Sequence, residues 1–203
     1  MGERVAAPPK MATMTLDSDA DSTRSTRPDA AERPDITVTD ATTDEQLDAV
    51  RALMRSFVVW HRERHVADLD LIDRYFDGAA FDEEVAGLPG KYTRPEGRLL
   101  LASVGGRAVG CVALRSLGQG SSEMKRMFVD PAFRGLGVGK ALAVRVIDEA
   151  RAAGYRTMRL DTSVRQLEAI RLYERLGFTR IGPYYELPDE LADWLVFMEL
   201  SLQ

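Results

Sequence analysis

The stretch from Glu123 to Lys140, E-M-K-R-M-F-V-D-P-A-F-R-G-L-G-V-G-K, constrains the fold more than any other part of the chain. Met127, Phe128 and Val129 form an apolar run of strand character, Asp130-Pro131 turns the chain, and Arg134-Gly135-Leu136-Gly137-Val138-Gly139 leads into a long helical pattern. A strand, a tight loop and a helix start follow one another. Glycine at 135, 137 and 139 lets the backbone come close to whatever occupies the loop. The first turn of a helix leaves its N–H groups unpaired at the positive end of the helix dipole. The group that satisfies both features is a phosphate or pyrophosphate.

Two familiar phosphate loops do not fit this spacing. A Walker A loop needs glycine where Arg134 stands and Ser or Thr where Ala141 stands, so the magnesium-binding hydroxyl is missing. The dinucleotide fingerprint needs glycine at Lys140. The run R-G-x-G-x-G, preceded by a strand, instead resembles the acetyl-CoA loop of the Gcn5-related N-acetyltransferase (GNAT) family. A second stretch, Ala169-Ile170-Arg171-Leu172-Tyr173-Glu174-Arg175-Leu176-Gly177-Phe178, is similar to that family's A-x-x-L-Y-x-x-x-G-F helix and follows in the expected order. Together the two cover roughly Glu123 to Phe178.

Around these motifs the chain reads as one domain. Residues 1–34 are rich in Asp, Ser, Thr, Arg, Ala and Pro with few large apolar residues, too little to offset the entropy of ordering them, so a disordered tail is expected. Met11 and Met14 leave open a later translation start. Residues 35–203 carry the elements. Ile36 to Thr39 alternates like a strand. Thr43 then caps a helix bearing Leu47, Val50, Met54, Phe57 and Val58, and a second helical region runs from about Leu69 to Val85, ended by Gly87, Pro89 and Gly90. Two apolar runs, 98–104 and 107–114, are joined by Gly105-Gly106 as a hairpin, and the strand ending at Val129 breaks alternation near Arg126, where a bulge is expected. After the loop a helix runs to about Ala153, burying Val138, Leu142, Val146 and Ile147 and exposing Arg145, Asp148, Glu149 and Arg151. A strand at 157–160, the Tyr173 helix, and strands at 178–181 and 194–200 complete the chain, with 182–188 as a loop. The resemblance implies a GNAT-like α/β (α+β) fold: a mixed, mostly antiparallel central sheet with helices on both faces.

The net charge of −5 and the absence of a basic cluster point away from nucleic acid and anionic membrane, and no apolar run reaches the ~20 residues of a membrane span. The single cysteine, Cys111, reads as a buried thiol, and two histidines give no metal-ligand spacing. A cytoplasmic, metal-free protein is expected, with a homodimer left open.

By the resemblance, the function is transfer of an acetyl group from acetyl-CoA to a primary amine of a small molecule or peptide. Backbone N–H groups of Arg134, Gly135, Leu136, Gly137, Val138, Gly139 and Lys140 would hold the CoA pyrophosphate, and the strand at Met127, Phe128 and Val129 would pair with the pantetheine arm. Arg134 and Lys140 either add charge-assisted bonds or stay solvated. An amine titrating near ~10 and a thiol near ~8.5 need a base and an acid respectively: Glu123 is the base candidate, Tyr173 the acid, and a strand N–H near Met127 takes the oxyanion. Gln166 stands where relatives often have a cofactor-contacting Asn, and Ser163-x-x-Gln166 also fits a capping box. Trp60, His61, Tyr75, Tyr184, Tyr185 and Glu186 could wall the acceptor site, rings beside a carboxylate suiting a cationic amine. The alternative is a non-catalytic acyl-CoA-binding or sensing module of the same fold.

Overall fold

In the computed structural model the described residues are 35–203; the tail read at 1–34 lies outside them. β2 (Arg98–Val104) shows why the sheet is covered on both sides. Leu99, Leu100, Leu101 and Ala102 are all buried, so alternate side chains enter two different cores, as expected for a strand with helices over both faces. Leu99 and Leu101 join one core with Cys111, Ala113, Phe128 and Phe197, while Leu100 and Ala102 join the other with Val112, Leu142, Met158 and Met198.

The seven-stranded sheet has the order β1-β2-β3-β4-β5-β7-β6. Besides β2 it contains β1 (Ile36–Asp40), β3 (Arg107–Gly118), β4 (Ser121–Val129), β5 (Thr157–Ser163), β6 (Thr179–Ile181) and β7 (Leu195–Ser201). Only β4 and β5 pair in parallel, and only at Ser121↔Thr157, Ser122↔Met158 and Glu123↔Arg159. β5 stays paired with β7 along its whole length. Beyond Glu123 the two central strands therefore diverge, and the edge of β4 facing β5 is unpaired.

The first core is roofed by α1 (Asp44–Arg64), α2 (Leu69–Phe76), α3 (Gly78–Ala86) and α6 (Asp189–Trp194); the second by α4 (Val138–Ala152) and α5 (Leu167–Arg175). α1 starts on a capping box: Gln46 N–H donates to Thr43 Oγ1 at 3.3 Å, and Thr43 N–H donates to Gln46 Oε1 at 3.1 Å. Two expectations need correction. The helical region 69–85 is two helices, broken at Asp77, whose φ of 36° is left-handed; the break brings Phe76 and Phe81 edge to face with centroids 5.6 Å apart. The loop read at 182–188 is present, and α6 follows it before β7. Glu149 is not a solvent-facing charge: it accepts from Arg98 at 2.6 Å and Arg145 at 2.9 Å and is largely buried.

Candidate active site

The bulge foreseen in β4 is present. Cys111 pairs with Phe128 and Ala113 with Lys125, so Arg126 and Met127 together face one residue of β3. Arg126 adopts a φ of 55°, held because its guanidinium binds Glu84 at 2.7 and 3.3 Å and lies over the rings of Phe76 and Phe81. Cys111, beside it, is buried, and burial pushes its thiol up to about 12. It is an inert core residue.

The divergence of β4 from β5 opens a cleft of about 550 Å³. Met124 to Met127 form one wall and Leu160 to Ser163 the other, with Tyr173 from α5, His61 from α1 and Gln166 at the α5 start also lining it. At the end of β4, Asp130 Oδ1 accepts from Ala132 N–H at 2.9 Å and turns the chain. Gly135 and Gly137 are left-handed, at φ 79° and 96°. The first bond of α4 runs from Ala141 N–H to Gly137 C=O at 3.0 Å, leaving the Val138, Gly139 and Lys140 N–H groups without intrahelical partners. Leu136 and Lys140 are exposed. Arg134 does not stand free: its guanidinium lies 4.1 Å above the Trp60 ring, and burial lowers its pKa.

The Tyr173 hydroxyl donates to Met127 Sδ at 3.5 Å, a weak acceptor. Burial and then the Asp161 charge raise its pKa, so the phenol keeps its proton. Of the two readings left open for Ser163-x-x-Gln166, the capping box is not formed. Ser163 Oγ accepts from Arg165 N–H at 3.1 Å, and the Gln166 amide nitrogen instead lies 2.5 Å from His61 Nε2.

Burial first, then His65 and Arg134, lower His61 to about 4, so the ring is neutral at pH 7 and can accept from Gln166. Between pH 6.5 and 4 the unfolded chain binds a proton at this residue that the folded chain refuses. Folding stability therefore falls as pH drops through that window, by up to about 1.4 kcal/mol per unit. His65, lowered also, acts with the same sign; burial alone would raise Glu84, but Arg126 and Lys91 outweigh it and lower it to about 2, so its contribution is lost only below the ordinary glutamate value of 4.5. Urea titrations at pH 7, 6, 5 and 4.5 should show the loss in the wild type and a smaller one in His61→Phe; identical pH profiles would mean His61 is charged in the folded state.

Glu123 does not line the cleft. It is wholly buried in a row of alternating charge that crosses four strands, Arg115↔Glu123↔Arg159↔Glu199. Arg115 Nε binds its Oε2, Lys125 Nζ lies 3.6 Å from its Oε1, and the Tyr184 hydroxyl donates to Oε1 at 2.7 Å. Tyr184 also lies 3.5 Å from Asp161, a residue that sequence reasoning passed over. Asp161 lines the cleft and accepts from the Tyr75 hydroxyl at 2.6 Å and Lys125 Nζ at 3.2 Å. Burial opposes the Lys125 charge, but Asp161 and Glu123 outweigh it and raise its pKa. The residues expected to wall an acceptor site divide: Trp60 and His61 sit at the glycine-loop end, Tyr75 and Tyr185 at the other, and Glu186 is exposed and lines neither cleft. Among the described residues no cluster of His, Cys, Asp and Glu could hold a metal, and no helix is long and apolar enough to cross a membrane.

A sheet split between two parallel strands, with a glycine-rich helix start at its mouth and a tyrosine hydroxyl inside, is the layout of an acyltransferase fold. The chain belongs to the acetyltransferase (GNAT) family, whose model matches residues 51–178. It is 42% identical over 123 residues to an uncharacterized N-acetyltransferase of Schizosaccharomyces pombe, covering 60% of this chain and 74% of that one. It is also 42% identical over 111 residues to the IAA acetyltransferase of Azospirillum brasilense, covering 54% and 71%. The solved PaiA N-acetyltransferase of Thermoplasma acidophilum, in complex with coenzyme A, shares the fold at a TM-score of 0.62 and 15% identity, over 82% of this chain and 99% of that one.

Proposed function

We propose that the chain transfers an acetyl group from acetyl-CoA to a primary amine of a small molecule or peptide. The observation that carries this reading is the split beyond Glu123, which puts an unpaired strand edge, a left-handed glycine loop and the Tyr173 hydroxyl around one cleft. The loop fits the cosubstrate: among the described residues nothing lies within 4 Å of a Cβ built at Gly135 and only Ile36 Cδ1, at 3.9 Å, near one at Gly137, so the backbone N–H groups of 134–140 are approachable. The coenzyme A complex of PaiA supports the same assignment on a shared fold.

Acetyl-CoA supplies a thioester carbonyl for the amine nitrogen to attack, forming the C–N bond and breaking C–S. The Met127 to Val129 edge pairs with the amide-bearing arm as an added strand would, and an N–H near Met127 faces the carbonyl oxygen as it gains charge. Tyr173 donates to the departing sulfur. Burial and then the Asp161 charge keep the phenol protonated, ready to donate as the sulfur gains charge. The ammonium proton leaves toward the carboxylates, Asp161 at the cleft wall and Glu123 behind it, joined through Tyr184. One observation favours the binding-module alternative: Glu123 is locked by Arg115 and does not reach the cleft. Thiol release from acetyl-CoA over a panel of amines, polyamines, amino acids and peptides decides between them. Release with at least one acceptor is expected; acetyl-CoA binding without release for any would establish the non-catalytic module.

A further inference from the structure

A second cleft, of about 570 Å³, opens beyond Tyr75, Lys125, Arg126 and Leu195, the four residues it shares with the first. Its charged lining is entirely cationic: Arg74, Arg115, Lys125 and Arg126, over a floor that includes Leu187 and Leu191. The balancing carboxylates stand behind this lining, with side-chain exposures of 0% for Glu123, 1% for Asp161 and 11% for Glu84. Each anchors the back of a cation. Glu123 holds Arg115 through Nε only, and the Arg115 Nη groups have no hydrogen-bond partner among the described residues. Among those residues Arg74 has only Glu190, 4.0 Å away and similarly exposed, which neutralises it weakly. These free donors cannot be serving the cosubstrate's pyrophosphate at the glycine loop, since Lys125 lies four strand residues, about 13 Å, before Val129.

We propose that this second cleft binds the acceptor and that the acceptor is an amine carrying a carboxylate. The proposal rests on the transferase reading of the first cleft. The guanidinium fork of Arg115, fixed from behind by a buried partner, presents two N–H donors that match a carboxylate's two oxygens, and Arg74 at the rim adds a second positive charge. The amine end then meets the shared wall at Tyr75 and Lys125, beside Asp161. The Lys125 charge there disfavours a neighbouring ammonium and so favours the neutral amine that can attack. A cationic amine without an anionic group, which the overall charge of −5 and the aromatic residues would favour, meets four like charges in this cleft instead.

The test is calorimetry on the full chain, with and without coenzyme A, using α-, β- and γ-amino acids, each paired with its own carboxamide and with the amine lacking the carboxyl group. At least one amino acid should bind about tenfold or more tightly than its amide, the size expected of a charged hydrogen-bond pair. Arg74→Gln, a surface change that leaves every buried pair intact, should shrink that preference about threefold or more while acetyl-CoA affinity is unchanged. Amides or simple amines binding as well as the amino acids, or no amino acid binding at ~10 mM, would overturn the proposal. The two readings fail separately. A carboxylate preference without acetyl-CoA binding sinks the transferase reading alone, and acetyl-CoA binding without the preference sinks the anion site alone.

Discussion

Tyr173→Phe should lower turnover by about 10² to 10⁴, the usual loss for a missing general acid, while leaving the protein folded and acetyl-CoA bound. The structure separates these effects. The ring packs in the second core with its centroid 5.7 Å from that of Phe178, and phenylalanine keeps that contact. The hydroxyl gives up only a 3.5 Å bond to the Met127 thioether, so the stability cost should stay within about 1 kcal/mol. Under the proposed reading the same O–H would meet the departing sulfur, an acceptor that becomes strong only as the C–S bond breaks. The loss should therefore fall on kcat and kcat/KM alike. Because burial and Asp161 raise the phenol, its titration cannot account for any change of rate below pH ~10. Turnover, melting temperature and acetyl-CoA affinity measured on one variant check all of this. Near wild-type turnover would remove Tyr173 from the chemistry.

What the sequence made legible was local. The glycine loop, the α5 motif and the Gly105-Gly106 hairpin each declare themselves within a few residues, and the last needs its two glycines because both are left-handed, at φ 56° and 80°. The bulge was readable because alternation fails at Arg126. The break at Asp77 was not, since Ile72, Phe76, Phe81 and Val85 all bury on the first core and the apolar pattern runs across a single residue of unusual backbone. The Ser163-x-x-Gln166 spacing leaves cap and cofactor contact open; the side chain settles on His61, 105 residues away in sequence. Asp161 and Arg115 were missed for the same reason. Periodicity says that a stretch is a strand but not which strand lies beside it, so neither the charge row from Arg115 to Glu199 nor the split that exposes Asp161 can be assembled before the strand order is known.

Gly137→Val should abolish the thermal stabilisation given by acetyl-CoA, which at 100 times Kd amounts to about 2.7 kcal/mol for an intact site. Two separate costs meet at this position. Gly137 has a φ of 96°, so any side chain strains the backbone, and the unliganded variant should lose about 1 to 2 kcal/mol. Among the described residues a Cβ built there has only Ile36 Cδ1, at 3.9 Å, within 4 Å. The added bulk thus enters open space at the residue that precedes the free α4 N–H groups, where under the proposed reading it would crowd a pyrophosphate. Gly139 separates strain from blockade. It is not left-handed, and its Cβ would point inward to ordinary contacts with Met127 Cε at 3.5 Å, Leu172 Cδ2 at 3.7 Å and Val129 Cγ2 at 3.8 Å. Gly139→Ala should keep both the melting temperature, helped by alanine's better helix propensity, and the acetyl-CoA shift. If Gly137→Val, melted with and without acetyl-CoA, shifts as far as the wild type does, the pyrophosphate does not lie on this loop.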